Sequence, residues 1–209
     1  MGLKKAGDVR TEESSADERR HARGYEGLLR QLEDPDPSIR RWAARDLSLH
    51  PSAAGPLAQR LAEEPETDVR EAIAASLEVI GGGRTVEGLI PLLHSDEAGL
   101  RNTAIEILQH LPDDVAVHIE RLLSEPDSDL RIFAVNIMET VPHPRSEEWL
   151  CAVLHDDPHV NVVAAALNLL SEVASERALA AVEQASRRFS TEPFIQFACQ
   201  TVKKRIRSL

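Results

Sequence analysis

The sequence predicts an all-α protein, an α-solenoid of about five to six two-helix repeats. Three observations predict it: segments that recur every 30 to 32 residues, apolar residues spaced by four within each segment, and no segment with the alternating pattern of a strand. A single pair of helices cannot bury its apolar face alone, so successive pairs are expected to stack around a shared core. Aromatic residues make up only 3% of the chain, so that core is expected to be aliphatic.

The repeat is clearest at the start of the second helix of each pair, which opens with an aliphatic residue. These openers are Ile39, Val69, Leu100, Leu130 and Val162. Arginine follows the opener in the first four repeats, and valine follows it in the fifth. Apolar residues stand four and eight positions after each opener, as Ala104 and Leu108 do after Leu100. That spacing places them on one helix face, which is the predicted seam between neighbouring repeats.

The first helix of each pair is shorter. The expected first helices are 25–32, 54–62, 86–93, 115–123, 148–154 and 178–186. Prolines are expected to end them, because the residue before proline is pushed out of the helical region. An acidic or amide residue just before the opener (Asp68, Asp129 or Asn161) suits the N-cap of the second helix. The glycine run 81–83 is expected to stop one helix and form a flexible turn.

The two ends of the chain differ from the repeats. Residues 1–22 are charged and nearly devoid of large apolar residues, which predicts a disordered tail before a solenoid domain at 23–209. A final helix near 193–206 is expected to turn Phe194, Phe197 and Val202 inward. Four cations follow in that helix: Lys203, Lys204, Arg205 and Arg207. They fit either a C-terminal cap on the helix dipole or a patch for nucleic acid or an acidic partner.

The run Asp-Val-Arg followed by spaced apolar residues resembles the HEAT repeat, in particular the short repeats of the phycobilisome-lyase HEAT-like group. Segments 64–77, 95–108 and 125–138 carry the resemblance best. It implies that aspartate and arginine form a structural ladder between successive repeats. The residues expected in this ladder are Arg40, Asp68, Arg70, Arg101, Asp129 and Arg131.

The resemblance also implies that a partner binds along a concave surface lined by the second helices. Positions two, six and nine after the opener approximate that surface, and they are mostly Asn, Gln and Glu. The candidate partner-binding residues are Arg41, Glu71, Glu78, Asn102, Glu106, Gln109, Ile132, Asn136, Glu139 and Asn168. Amides offer adaptable hydrogen bonds, and the carboxylates attract a partner that carries basic groups.

The sequence therefore predicts a non-catalytic scaffold or adaptor that binds another protein or peptide. The alternative is a subunit similar to phycobilin lyases, or a chaperone-like subunit, acting on a partner protein. No catalytic residue, metal site or cofactor is expected. None of the eight histidines precedes glutamate, as the iron ligands of a HEAT-like hydroxylase would, and Cys151 and Cys199 lie in apolar stretches.

Composition limits the partners further. With 24 basic and 35 acidic residues, the net charge of −11 disfavours general binding to nucleic acid. No apolar run reaches the roughly 20 residues of a membrane span, and the N-terminus lacks the apolar region of a signal peptide. Two cysteines do not make a disulfide framework, so we expect a cytoplasmic protein.

Overall fold

The computed structural model describes residues 24–140 and 143–208, and every regular element in these ranges is a helix. The predicted tail at 1–22 lies outside the described residues. Among those described, no helix combines the length and the apolar character needed to cross a membrane. The all-α prediction is confirmed. The contacts divide the chain into two compact units, one through Ile80 and one from Gly81 onward.

Unit 1 contains two helical pairs. Its helices are α1 (Tyr25–Gln31), α2 (Pro37–Leu47), α3 (Ala54–Glu63) and α4 (Thr67–Ile80), and a 3₁₀ turn precedes α3 at Pro51–Ala53. Each first helix packs on the second helix of its pair, and the second helices α2 and α4 pack on each other. Buried Ser76 on α4 donates to the carbonyl oxygen of Ala44 on α2 (2.9 Å), so this interface also carries a buried hydrogen bond.

Unit 2 contains four further pairs. Its helices are α5 (Gly82–Leu89), α6 (Ala98–Gln109), α7 (Pro112–Leu122), α8 (Ser128–Ile137), α9 (Ser146–Asp156), α10 (Val160–Val173), α11 (Leu179–Arg188) and α12 (Pro193–Arg207). Short 3₁₀ helices follow α5 and α8 and precede α11. The second helices α6, α8, α10 and α12 pack in succession. Each unit is thus a short α-solenoid of two-helix repeats.

The predicted seam is the core of both units. The residues four and eight positions after each opener are all buried: Ala43, Leu47, Ile73, Leu77, Ala104, Leu108, Ala134, Met138, Ala166 and Leu170. Small residues in the first column let the helices approach closely, and the larger residues in the second column fill the remaining space. The aliphatic core expected from the low aromatic content is confirmed.

Helix starts differ from the prediction by about two residues. The N-caps of α2 and α8 are Asp36 and Asp127, whose carboxylates accept from the backbone amides of Ser38 and Asp129 at 2.8 Å. The prediction of Asp129 as a cap is wrong because α8 begins at Ser128, one residue before it. Asp68 and Asn161 likewise lie inside the first turns of α4 and α10.

Two aromatic positions also differ from the prediction, and two further apolar residues of α2 are exposed. Phe194 and Phe197 are 63% and 67% exposed, because the buried stripe of α12 runs through Ile195, Cys199, Val202 and Ile206. Ile39, the opener of α2, is 38% exposed, whereas Arg40 beside it is buried. Trp42, also on α2, is 56% exposed, with the Arg45 guanidinium 5.4 Å from its ring centroid. Val202 faces inward as predicted.

The glycine run starts α5. Gly81 and Gly82 have φ values of 55° and 77°, in the left-handed region that favours glycine. The Gly82 amide donates to the Asp114 carboxylate on α7 at 2.8 Å, which satisfies one of the free amides at the start of α5.

Candidate protein-binding surfaces

The four repeated arginines close the loops of their own repeats. Each guanidinium donates to the carbonyl oxygen six residues earlier, in the turn between first and second helix. The distances are 2.8 Å from Arg40 to Asp34, 2.6 Å from Arg101 to Ser95 and 2.9 Å from Arg131 to Glu125, and Arg70 makes the same bond to Glu64. Because the spacing of six recurs in all four repeats, this contact belongs to the architecture of the repeat.

Two of these arginines also bind a carboxylate of the next repeat. Arg40 forms two bonds to Glu64 (2.7 and 2.8 Å), and Arg131 forms two to Asp157 (2.7 and 3.1 Å). Such two-point contacts between guanidinium and carboxylate fix both distance and orientation. They link α2 to the α3–α4 turn in unit 1 and α8 to the α9–α10 turn in unit 2.

The predicted aspartates do not supply these contacts. The side chains of Asp68 and Asp129 are exposed, and Asp68 instead lies 3.6 Å from Arg41. The reason is the helix start described above: Asp68 and Asp129 stand in the first turn of a second helix, directed to solvent. Glu64 and Asp157 stand in the turns, within reach of the preceding repeat.

Glu64 in unit 1 has a strongly lowered pKa. Its side chain is fully buried and accepts from Arg40, from Arg60 (2.9 Å) and from the backbone amide of Glu66 (3.0 Å). Burial by itself would raise the pKa of Glu64, but these hydrogen bonds hold the pKa at about 2. The carboxylate therefore remains charged inside the protein at neutral pH.

The predicted partner-binding residues of unit 1 lie on its second helices. Glu71 on α4 is exposed, while Arg41 on α2 and Glu78 on α4 are half-buried. Arg41 lies within ion-pair distance of Asp68. All three side chains are open to solvent to some degree.

The predicted residues of unit 2 lie on three adjacent second helices. Asn102, Glu106 and Asn168 are exposed, as is Glu139 in the 3₁₀ turn after α8, and Gln109, Ile132 and Asn136 are half-buried. Between α8 and α10, Asn136, Glu139 and Asn168 line one shallow depression together with Glu172. The Gln109 side chain donates to the backbone carbonyl of Asn136 at 2.8 Å, which ties α6 to α8. We call the exposed surface of α6, α8 and α10 formed by these seven predicted residues the second-helix face.

A larger cleft lies between the first helices α7 and α9. Its volume is about 540 Å³. Apolar side chains, including Leu123, Ala152 and Val153, line part of the wall, and Arg131 and Trp149 also line it. Five carboxylates line the cleft as well: Glu120, Glu125, Glu148, Asp156 and Asp157. We call this space the α7–α9 cleft. The repeat pattern did not indicate it, because its acids come from two neighbouring repeats and stand 23 or more residues apart between them in the chain.

One end of the cleft holds a tryptophan among charged groups. Trp149 is buried, and its indole N–H donates to Glu120 at 3.1 Å. The Arg145 guanidinium lies 5.1 Å from the Trp149 ring centroid and also binds Glu120 and Glu148. Hydrogen bonds from Trp149 and then Arg145 lower the pKa of Glu120, and Arg145 lowers the pKa of Glu148. The adjacent residues Glu148 and Trp149 indicate from the sequence that an acid and an aromatic ring lie near each other here. The sequence does not indicate that Arg145 binds beside them.

The two cysteines are poorly suited to nucleophilic chemistry. Cys199 is buried and Cys151 is half-buried. Burial, with a smaller contribution from Glu147, raises the pKa of Cys151 to about 11, and burial also raises the pKa of Cys199. Both therefore stay protonated at neutral pH, and the thiol is a much weaker nucleophile than the thiolate.

Comparison with known proteins gave one match to a family. The model of the HEAT-repeat family matches residues 25–113 and 115–192. No curated protein matches the chain in sequence.

Several solved structures are similar in fold at low sequence identity. An archaeal HEAT-like repeats protein from Thermococcus onnurineus NA1 is 16% identical, with 95% of this chain and 94% of that chain covered and a TM-score of 0.49. An engineered protein is 20% identical over 88% and 96% of the two chains, with a TM-score of 0.42. The complex of CpcE and CpcF of phycocyanin lyase from Nostoc sp. PCC7120 is 19% identical over 98% and 97%, with a TM-score of 0.39. What those proteins bind or catalyse does not transfer to this chain.

Proposed function

Because this chain belongs to the HEAT-repeat family, we propose that it is a non-catalytic scaffold that binds a partner protein or peptide. HEAT-like repeats commonly serve as protein-interaction scaffolds. In this molecule the repeated arginines close the loops, and the apolar columns pack the helices against one another. Asn102, Glu106, Glu139 and Asn168 on or next to the second helices of unit 2 are exposed, and they lie outside these apolar columns and loop contacts.

We assign partner binding to the second-helix face. The observation that carries this assignment is the depression between α8 and α10, where Asn136, Glu139 and Asn168 come together with Glu172. Two amides and two carboxylates in one place can accept several hydrogen bonds from one basic group. A partner that presents lysine or arginine side chains fits this chemistry.

Charge reversal tests the assignment. We expect Glu106→Lys combined with Glu139→Lys to reduce capture of the partner from a lysate of the native organism, measured by quantitative mass spectrometry, because attraction becomes repulsion. Glu71→Lys tests the corresponding surface of unit 1 by itself. The matched control is Glu87→Lys with Glu183→Lys, two exposed acids on the first helices α5 and α11.

Helical content and melting temperature should stay the same in all variants, since these side chains are exposed. A partner retained equally by the wild type and by the Glu106/Glu139 variant would show that the second-helix face is not the binding surface. A chromophore that copurifies with the chain would instead favour the lyase-like alternative.

A further inference from the structure

We propose that the α7–α9 cleft is a second binding site, which takes a basic segment of a partner protein and seats one of its arginine or lysine side chains. The methylene stem of that side chain would lie along the apolar wall, and its cationic end would lie among the carboxylates. The cleft shares no residue with the second-helix face, so the two sites can be tested separately.

The charges of the cleft are unbalanced. Arg131 is paired with Asp157, and Arg145 is shared by Glu120 and Glu148. Glu125 and Asp156 have no guanidinium or ammonium partner among the described residues, and the His155 ring nitrogen Nδ1 lies 3.4 Å from the Asp156 carboxylate. Two unpaired carboxylates and one shared cation leave the cleft with an excess of negative charge. A cationic ligand would neutralise it.

The wall of the cleft suits the stem of a long basic side chain. Leu123, Ala152 and Val153 lie on it together with Trp149. Arginine and lysine bury their methylene groups against apolar surface while the charged end stays near water or a counter-ion. A volume of about 540 Å³ lies within the range of ligand pockets, and the cleft opens widely to solvent, which lets a chain segment enter from the side.

The chain itself shows how a guanidinium binds at this place. Arg145 lies beside the Trp149 ring and reaches two carboxylates, and its own side chain is half exposed. An aromatic face with flanking carboxylates is a favourable environment for a guanidinium. Glu125 and Asp156 extend the acidic lining away from Arg145, so a second cation can bind without displacing it.

The test uses the full chain with Trp42→Phe, which makes Trp149 the only tryptophan. The probe is the acetylated, amidated peptide Gly-Arg-Gly-Arg-Gly, titrated at low ionic strength while tryptophan fluorescence is recorded. We expect saturable binding that weakens as salt is added, because an open cleft is screened by ions. The same peptide with citrulline in place of arginine keeps the shape, removes the charge and should not bind.

Two variants with equal charge change locate the site. Glu125→Gln with Asp156→Asn should raise the dissociation constant about fivefold or more, as expected for loss of two exposed ion pairs. Glu106→Gln with Glu139→Gln removes two charges from the second-helix face and should leave the constant unchanged. Circular dichroism of each variant checks that the helices are intact.

Three outcomes would overturn the proposal: no saturable binding of the arginine peptide, equal binding of the citrulline peptide, or equal weakening by both variant pairs. Spermine separates a basic protein segment from a free polyamine, and tighter binding of spermine than of the peptide would also overturn it. None of these results bears on the second-helix face, whose test rests on the native partner.

Discussion

At the scale of single residues, the repeated arginine is the main structural device of this chain. In all four repeats it donates to a loop carbonyl six residues back, and in two of them, at Arg40 and Arg131, it also binds a carboxylate 24 or 26 residues forward. The backward contact follows from the recurring register and could have been predicted. The forward partners were not predicted: Glu64 and Asp157 each stand immediately before a proline, but their offset from the arginine varies, at 24 and 26 residues.

The Arg40–Glu64 pair makes the stability of unit 1 depend on pH. Glu64 normally titrates near 4.5 and in the folded chain at about 2. Its stabilising contribution is therefore fully present above about pH 4.5 and is lost as the pH falls towards 2. We expect amide-exchange protection in α2 and α4 to decrease over that window.

Glu64→Gln tests this pair directly. Removing one charge of a buried pair leaves the other uncompensated, so we expect the free energy of unfolding of unit 1 at pH 7 to fall by about 3 kcal/mol. The variant should also lose most of the change in exchange protection between pH 4.5 and 2. Glu63→Gln is the control, since Glu63 is an exposed neighbour on α3. If both variants behaved alike, the buried pair would contribute nothing specific.

At the scale of elements, helix starts were predicted less well than helix existence. Apolar spacing shows which residues share a face, but it does not show where the first turn begins. The residue at which the helix begins decides which aspartate can reach a free backbone amide. Asp127 is therefore the cap of α8 and Asp129 is not.

This distinction can be tested on two neighbouring aspartates. Asp127→Ala removes the acceptor of the Asp129 amide and should lower the free energy of unfolding by about 1 kcal/mol. Asp129→Ala removes an exposed carboxylate from the first turn and should cost a few tenths of a kcal/mol through the helix dipole. Urea denaturation followed by circular dichroism measures both. A larger cost for Asp129 would place the cap where the sequence pattern put it.

The seam between second helices is the element most sensitive to side-chain size. Ala104 on α6 and Ala134 on α8 are fully buried. An arginine side chain at either position is too large for the seam, which should lower the free energy of unfolding by about 1–3 kcal/mol. It also buries an unpaired charge, which lowers that free energy further. We expect Ala104→Arg and Ala134→Arg to lower the melting temperature and reduce exchange protection, most strongly in the adjacent helices.

Asn102→Arg is the matched control, because Asn102 is exposed on the same helix as Ala104. It introduces the same side chain without entering the seam. An Ala104→Arg melting curve equal to that of Asn102→Arg would contradict the assignment of this face.

At the scale of the whole molecule, the sequence predicted the repeat period and the residues of the core. It did not predict the shape of the α7–α9 cleft. The ten seam residues follow from a spacing of four in every repeat. The α7–α9 cleft depends on how far two first helices stand apart, and no local pattern encodes that distance. Phe194 and Phe197 show a similar limit: their size suggested burial, whereas the register of Ile195 decides which face of α12 is covered.

Net charge acts over the whole chain. At −11, the protein should associate faster with a basic partner than with an acidic one, and raising the ionic strength should reduce that rate. The basic residues at the end of α12 offset the negative charge of the protein only in their own neighbourhood. One of them, Arg205, donates to the carbonyl oxygen of Ala174 at 3.3 Å. A stopped-flow series at increasing salt would measure the effect.

The loop contact of each arginine has a consequence for how such a chain can lengthen or shorten. Donor and acceptor both lie within six residues, so every repeat carries the means to close its own turn. Duplication or deletion of an entire repeat would leave these internal bonds whole, and only the carboxylate at the new junction would have to match. Insertion of one residue between Asp34 and Arg40 would move the guanidinium off its carbonyl. Variation by complete modules is thus the route that this geometry permits most readily.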